Sequence, residues 1–265
     1  MNQLDKFKNF VNDRNENVKV GLVGAGQMGQ GIVAQVSKMH GVDLVCIVDR
    51  NQKQLDIASD RYKKYKENKI LCSDSIAALD NVDLDIVIEA TGTPAAGALV
   101  AKNVLNRGIN LILLNVETEA TIGLALRKEA EKNNAIVTVA DGDEPVAALD
   151  LYNFAKELSF DVISIGKGKN NPFNTFATPS SLTKEASSKQ MNPKMLTSFV
   201  DGTKTMVEMT ALANFLDFNI DIDGMHGIEA TYENINQYYI PKKDGGILDE
   251  SQVVDFAFGI APGVF

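Results

Sequence analysis

The residues best suited to chemistry lie in the second half of the chain. Asp143 and Glu144 follow an apolar segment and precede a helical pattern. At the end of a strand, such carboxylates can act as acids, bases or metal ligands. They can equally cap the helix that follows and complement its dipole. We therefore treat both residues as candidate catalytic groups, with helix capping as the open alternative.

A second candidate catalytic group consists of Asp201, Lys204 and Glu208, which are spaced by three and four residues. In a helix, this spacing places the three side chains on one face. A lysine held between carboxylates in a cleft can donate or relay a proton to an oxygen undergoing reduction. Because the neighbouring residues are largely apolar, we expect a helix buried on several sides, which favours a functional role over a surface ion pair.

A loop rich in lysine and glycine forms the third group. Lys167 and Lys169 alternate with glycines and are followed by Asn170 and Asn171. Amine, amide and backbone N–H groups in such a loop suit a phosphate or a carboxylate. We predict that these four residues bind an anionic substrate, although a solvated linker has the same composition.

The first half of the chain contains a glycine pattern of the form G-x-G-x-x-G. It directly follows a predicted strand and opens a predicted helix, which is the context that a dinucleotide-binding turn requires. The first glycine permits a tight turn, the second lets the backbone approach a pyrophosphate, and the third allows close packing of helix on strand. The residues predicted to form this cofactor-binding turn are Gly24, Ala25, Gly26, Gln27, Met28 and Gly29.

Asp49 and Arg50 stand at the end of the second predicted strand, where dinucleotide-binding folds place an acidic residue. The carboxylate could accept hydrogen bonds from the ribose hydroxyls. Arg50 could stack on adenine or pair with the 2′-phosphate of NADP. The sequence therefore predicts NAD(P) as cofactor, with NADP slightly favoured.

Three further residues follow later strands at the same edge of the predicted sheet. Thr91 and Gly92 come after one strand, and Asn115 comes after the next. Open α/β sheets bind ligands beyond the carboxyl ends of their strands. We expect these residues to contribute to the cofactor site on the nicotinamide side, with turn formation as the alternative.

The elements that must position these groups alternate between strand and helix patterns as far as a strand over residues 161–165. That alternation predicts a doubly wound parallel α/β sheet of the Rossmann type. Beyond it we expect a smaller α+β substrate domain with one long helix over residues 196–215. A short amphipathic helix is predicted near residues 4–11. The predicted domains are residues 1–170, which bind NAD(P), and residues 171–265, which bind substrate.

Composition narrows the class of partner. The net charge of −9 argues against nucleic acid as a partner. No apolar run approaches the roughly 20 residues of a membrane span, and the N-terminus lacks the apolar core of a secretory signal. The two cysteines have no metal-type spacing and suit a reducing compartment. We expect a cytoplasmic homo-oligomer that acts on a small molecule.

Taken together, these segments resemble one family, the homoserine-dehydrogenase-like NAD(P)-dependent oxidoreductases, which usually carry a C-terminal SAF domain. Some members are similar to 1-deoxy-D-xylulose 5-phosphate reductoisomerase. The resemblance spans nearly the whole chain, although this chain is expected to lack the SAF domain. True homoserine dehydrogenases have a lysine where this chain has Asn115, so homoserine itself is not implied. The segments that carry the resemblance are residues 24–29, 89–92, 115–117, 142–145, 166–171, 201–205 and 224–227.

The resemblance implies hydride transfer between NAD(P) and a small anionic carbonyl or hydroxyl compound. A first alternative is a metal-dependent reductoisomerase-like enzyme, in which a divalent metal held by carboxylates chelates a hydroxy-ketone before its reduction. A second alternative, of another class, is a protein that senses the dinucleotide without turnover.

Overall fold

A computed structural model of the chain describes residues 16–189 and 191–265. The short helix predicted near residues 4–11 lies outside the described residues. The chain divides into two compact units, Met1–Ala140 and Asp141–Phe265. This division falls thirty residues before the domain boundary that the sequence predicts.

The first unit is built around one parallel sheet of six strands in the order β3-β2-β1-β4-β5-β6. Successive strands are joined by helical segments, which is the arrangement that parallel pairing requires. The prediction of a doubly wound Rossmann sheet is confirmed. Its strands are β1 Val18–Val23, β2 Val42–Val48, β3 Leu71–Ser73, β4 Ile86–Glu89, β5 Asn110–Leu113 and β6 Val137–Val139.

The helices of the first unit start at residues that cap them. Asn51 and Thr93 each accept a hydrogen bond from a backbone N–H in the first turn of the following helix. Asn115 does the same for the next helix, which begins at Val116. These helices are α1 Gln27–Val36, α2 Gln52–Lys63, α3 Pro94–Leu105 and α4 Val116–Lys132, and a 3-10 helix spans Ile76–Asn81.

Two buried apolar clusters make up the core of the first unit. One contains Leu79, Val104 and Leu111, and the other contains Leu22 and Tyr62. Burial on both faces explains why the strands are apolar runs without alternation. The sheet edge that presents the glycine turn therefore rests on a packed core.

The second unit contains a smaller parallel sheet in the order β7-β9-β8. Its strands are β7 Ser164–Lys169, β8 Ile228–Glu229 and β9 Val253–Phe258. The predicted strand over residues 161–165 is wrong in its extent, because β7 continues through Lys169 and pairs with β9 along its whole length. Of the predicted anion-binding loop, Lys167 and Lys169 therefore lie in a buried strand, whereas Asn170 and Asn171 follow its end.

The helices of the second unit are α5 Glu144–Glu157, α6 Thr183–Ser188, α7 Pro193–Val200, α8 Thr203–Leu216 and α9 Ile235–Tyr238. The single helix predicted over residues 196–215 is wrong, because it is broken between α7 and α8. Gly202 has a φ of 92°, a left-handed conformation that stops helical continuation. A larger side chain at Gly202 would also approach the ring of Phe173 within 2.6 Å.

Across residues 16–189 and 191–265, no helix combines the length and the apolar character that crossing a bilayer demands.

Candidate active site

The glycine turn has the geometry that the sequence predicts. Gly24 has a φ of 99°, and a Cβ atom there would lie 2.6 Å from the carbonyl of Ala90 on the adjoining strand. A Cβ atom at Gly29 would overlap the carbonyl oxygen of Gly24. A Cβ atom at Gly26, in contrast, would meet no atom within 4 Å. Gly24 and Gly29 therefore serve the fold, whereas Gly26 leaves space in front of the helix N-terminus.

The other residues of the turn differ in exposure. Ala25 is fully buried, and Met28 is exposed at the start of α1 together with Gln27. Gly26 is the N-cap of α1 and no side chain caps this helix, so its N-terminus has the free N–H groups that favour an anion.

Asp49 is fixed to the glycine turn by hydrogen bonds. The backbone N–H of Ala25 donates to Oδ2 of Asp49 at 2.6 Å, and the N–H of Asn51 donates to Oδ1 at 2.8 Å. Each carboxylate oxygen can accept further bonds, so a ribose can still bind. Arg50 is exposed beside it.

Asn115 links two loops at the carboxyl edge of the sheet. Its side chain is buried, donates to the carbonyl of Thr93 at 2.9 Å and accepts from the N–H of Thr118 at 3.2 Å. Its amide also lies 3.5 Å from the hydroxyl of Thr91. The turn-forming role is thus present at Asn115, and Gly92 lies exposed in the same loop.

Sequence reasoning singled out Thr91 and Gly92 but not Glu89, which ends β4. Glu89 is completely buried and accepts hydrogen bonds from both the N–H and the hydroxyl of Thr91. Burial raises the pKa of this carboxyl, and hydrogen bonding from Thr91 and from the Asn115 side chain acts in the opposite direction. The signal in the sequence that could have identified Glu89 is the placement of an acidic residue at the end of an apolar strand.

In the second unit, three separate elements bring four predicted residues into one ion network. Lys167 on β7 pairs with Glu144 at the start of α5, at 3.0 Å, and with Glu208 on α8. Lys204 lies one helical turn before Glu208 and pairs with it at 3.4 Å. Glu208 is only 2% exposed and stands between two lysines. The predicted sharing of a helix face by Lys204 and Glu208 is confirmed.

Asp143 joins this network through a hydrogen bond with Glu144. Burial raises the pKa of Asp143 to about 6, helped by its hydrogen bond to Glu144 and by the charge of Glu208. Burial also acts to raise the pKa of Glu144, but the Asp143 bond and the ammonium of Lys167 outweigh it and lower that pKa. Below about pH 6 the pair therefore holds a proton on Asp143 and a negative charge on Glu144. Asp143 also caps α5, because it accepts a hydrogen bond from the N–H of Glu144.

Asp201 does not share the helix face predicted for it. It is the residue at which α7 ends, and its carboxylate accepts a hydrogen bond from the N–H of Thr203 at 2.8 Å. The break at Gly202 removes it from the register of Lys204 and Glu208. Its charge acts on Lys169 instead, where it partly offsets the lowering of the Lys169 pKa by burial.

Lys169 lines a cavity of about 640 Å³ at the carboxyl ends of β7, β8 and β9. Its amine donates to the carbonyl of Phe199 and lies 5.7 Å from the ring centre of Phe173. Burial lowers the pKa of Lys169, and the charge of Lys167 adds to that effect. The cavity is lined by Lys169, Asn170, Asn171, Pro172, Phe173, Glu229, Phe258, Gly259 and Ala261. Its position agrees with the rule that parallel sheets bind ligands beyond the carboxyl ends of their strands.

The loop that contains His226 is held by two aspartates. His226 Nε2 lies 2.7 Å from a carboxylate oxygen of Asp221, and the backbone N–H groups of His226 and Gly227 donate to the buried carboxylate of Asp255. These bonds give the histidine a structural attachment beside β9.

Two family models match the chain, and together they cover both units. Residues 24–140 match the model described as "Homoserine dehydrogenase, NAD binding domain". Residues 142–265 match the model described as "Oxidoreductase DRL, catalytic domain". Neither match is to a SAF domain. No curated protein matches the chain.

Solved structures with similar folds share little sequence with the chain. The 1-deoxy-D-xylulose 5-phosphate reductoisomerase from Zymomonas mobilis, in complex with NADPH, is 16% identical with a TM-score of 0.57, over 77% of this chain and 59% of that chain. The WlbA dehydrogenase from Chromobacterium violaceum, in complex with NADH and UDP-GlcNAcA, is 20% identical with a TM-score of 0.47, over 60% and 46%. An oxidoreductase from Agrobacterium radiobacter, in complex with NAD+, L-tartaric acid and magnesium, is 15% identical with a TM-score of 0.47, over 60% and 46%.

The chain spans about half the length of each of these three solved structures. The first unit has the Rossmann fold, and both family models that match the chain describe domains of oxidoreductases. The matches also confirm its resemblance to the homoserine-dehydrogenase-like oxidoreductases.

Proposed function

We propose that the protein transfers a hydride between NAD(P) and a small anionic carbonyl or hydroxyl compound. The observation that carries this proposal is the ion network of the second unit, in which Glu144, Lys167, Lys204 and Glu208 come together from three elements. Such a network of coupled acids and bases around a buried carboxylate suits a proton transfer that accompanies reduction. The substrate cavity lies at the end of the same strand that carries Lys167.

The nicotinamide, when bound to the first unit, supplies or accepts the hydride. The choice between NAD and NADP depends on Asp49 and Arg50. The carboxylate of Asp49, anchored to Ala25, favours ribose hydroxyls, whereas the exposed Arg50 favours a 2′-phosphate. NADP stays the slightly favoured cofactor in this proposal, because the exposed guanidinium of Arg50, directly after Asp49, could pair with a 2′-phosphate.

The proton step is assigned to the network residues. Lys204 is the candidate donor to the substrate oxygen, because its side chain is 20% exposed while Glu208 behind it is 2% exposed. Glu208 holds the amine in place and links it to Lys167 and Glu144. Asp143, which carries a proton below about pH 6, can resupply the network from its other end.

Substrate recognition is assigned to the cavity. Lys169 offers a cationic amine at its wall, and the amides of Asn170 and Asn171 can donate hydrogen bonds to a carboxylate or a phosphate. Lys167 was predicted as a fourth substrate ligand. Since its amine is engaged by Glu144 and Glu208, we assign it to the proton network instead.

A substrate screen followed at the nicotinamide absorbance, with NADH and NADPH in parallel, tests this proposal. On the substrate found, Lys204→Met should lower kcat by about 100-fold or more while the Kd of the dinucleotide stays unchanged. The matched control is Lys189→Met, because Lys189 forms the same i,i+4 pair with Glu185 but is 47% exposed, at the C-cap of α6. Unchanged turnover in Lys204→Met would refute the assignment, and dinucleotide binding without turnover on any substrate would favour a sensor.

One observation favours the metal-dependent alternative. Asp143, Glu144 and Glu208 place carboxylate oxygens within 4.8 Å of one another, which suits a hard divalent cation such as Mg²⁺ or Mn²⁺. Such an ion would polarise a substrate oxygen. The ammonium of Lys167, however, already lies between Glu144 and Glu208. Activity that disappears with a chelator and returns with magnesium or manganese would therefore replace our main proposal with the reductoisomerase-like one.

A further inference from the structure

Glu89 is a buried acid that the proposed reaction does not use. It is 0% exposed at the carboxyl end of β4, and among the described residues its Oε2 atom has no hydrogen-bond partner. Leaving a buried carboxylate oxygen unpaired is costly, so the position calls for an explanation. Its other oxygen, Oε1, accepts from the N–H of Thr91 at 2.8 Å and also from the Thr91 hydroxyl.

These bonds decide how Thr91 faces the sheet edge. Because both the N–H and the O–H of Thr91 donate to Glu89, the hydroxyl can act outward only as an acceptor. Asn115 braces the same loop, with its amide 3.5 Å from the Thr91 hydroxyl and 2.9 Å from the carbonyl of Thr93. Glu89 thereby imposes one orientation on a residue that could otherwise rotate freely.

The position of Glu89 in the sheet determines which part of a dinucleotide this loop serves. Glu89 pairs in register with Val23, directly before the glycine turn, and β4 begins the second half of the sheet. A dinucleotide crosses such a sheet at this switch point, with the adenosine half over β1 to β3 and the nicotinamide half over β4 to β6. The Thr91 loop follows β4 and so belongs to the nicotinamide side.

We propose that Glu89 is a positioning residue that orients Thr91 to accept a hydrogen bond from the nicotinamide half of the cofactor, on the ribose hydroxyl or the carboxamide. The inference rests on the proposed function insofar as that function requires NAD(P). It adds a residue that selects for the nicotinamide half and not for the adenosine half. Glu89 itself does not touch the reacting atoms.

Binding measurements with two probes separate this role from a general structural one. NADH or NADPH, whichever binds more tightly, reports on the whole dinucleotide, whereas ADP carries the adenosine and both phosphates without the nicotinamide ribose. Glu89→Ala should raise the Kd of the dinucleotide about fivefold or more and leave the Kd of ADP unchanged. Glu89→Gln keeps an oxygen acceptor for Thr91, so its Kd values for the dinucleotide and for ADP should stay within about twofold of those of the unsubstituted protein.

Three results would overturn the proposal: a parallel loss of ADP binding in Glu89→Ala, no change on either probe, or a Glu89→Gln variant as weak as Glu89→Ala. Should Glu89→Ala fail to fold, Thr91→Val removes only the hydroxyl and must still weaken the dinucleotide selectively. Unchanged dinucleotide binding in Thr91→Val also counts against the proposal.

The same loop offers a matched control. Thr93→Ala removes the hydroxyl that caps α3, and should lower thermal stability without changing either Kd. Asp49→Ala, on the adenosine side, should weaken ADP and the dinucleotide alike. If the unchanged chain binds no nicotinamide dinucleotide, both the inference and the proposed function fail. If it binds one normally and Glu89→Ala has no effect, only the inference fails.

Discussion

Replacing Glu208 by glutamine tests whether the ion network is part of the folded core. Glu208 is 2% exposed and serves two ammonium groups, with its Oε1 atom 3.4 Å from Nζ of Lys204 and its Oε2 atom against Lys167. Glutamine keeps the size of the side chain but removes the charge. Its amide NH₂ group must then face one of the two lysines, donor against donor.

The decrease in the free energy of unfolding expected for Glu208→Gln can be estimated from these contacts. At 3.4 Å, and with an effective dielectric constant of about 20, the attraction between Lys204 and Glu208 is about 5 kcal/mol before desolvation is subtracted. Removing one partner of a buried pair typically costs about 3–5 kcal/mol. Lys167 keeps Glu144 at 3.0 Å, so we expect the lower end, about 3 kcal/mol. That is a large part of the roughly 5–15 kcal/mol by which proteins are stable.

Urea denaturation followed by tyrosine fluorescence suits this measurement. The chain has no tryptophan, and four of its six tyrosines lie in the second unit. Glu185→Gln is the matched control, because Glu185 pairs with Lys189 at 2.7 Å on an exposed helix surface, where such pairs contribute about 0.2–1 kcal/mol. A loss in Glu208→Gln no larger than that of the control would refute the reasoning that the network is buried and coupled.

Three further predictions concern other parts of the two sites. Gly26→Ala should leave the melting temperature unchanged but weaken NADH or NADPH binding about tenfold or more, because its Cβ occupies the open space in front of the helix. Gly29→Ala should instead lower the melting temperature, since its Cβ overlaps a backbone oxygen, and equal effects of the two variants in calorimetry would contradict this distinction. Asp49→Ser should shift the ratio of the KM values for NADH and NADPH about tenfold toward NADPH, and an unchanged ratio would exclude Asp49 from ribose recognition. Because the pKa of Asp143 is raised from 3.8 to about 6, the folded state retains a proton that the unfolded state loses near pH 4. The stabilisation by Asp143 is thus complete below about pH 4 and is lost as the pH rises to about 6. In denaturation series, the free energy of unfolding of the unsubstituted protein, relative to that of Asp143→Asn, should therefore fall between these pH values. A difference that stays constant with pH would contradict the raised pKa.

The sequence alone was sufficient for the first unit because its signals are local. The glycine pattern, the strand before it and Asp49 lie within one βαβ segment, and the structure joins them directly through the bond from Ala25 to Asp49. The apolar runs that become strands are buried on both faces of the sheet, so hydrophobicity marks them clearly. Only weakly apolar pieces such as β3 escaped prediction.

The second unit could not be predicted to the same extent because its polar residues are compensated by distant ones. Lys167 and Lys169 were predicted to lie in an anion-binding loop, yet both belong to β7, where Glu144 and Glu208 neutralise the first and the carbonyl of Phe199 accepts from the second. A lysine is buried only where such partners are available, and here the carboxylate of Glu208 lies 41 residues away in the chain. Composition and spacing cannot report a partner at that separation.

The sequence by itself therefore determined the Rossmann unit, its glycine turn and the residue types that are candidates for moving a proton. Tertiary structure alone decided that Lys167 joins Glu208 in one ion network, that Asp201 stays outside its helix register, and that Glu89 is buried with one oxygen unpaired. The physical reason is the range of the interactions. Hydrogen bonds of turns and caps depend on near neighbours in the chain, whereas the burial of a charge depends on every element packed around it.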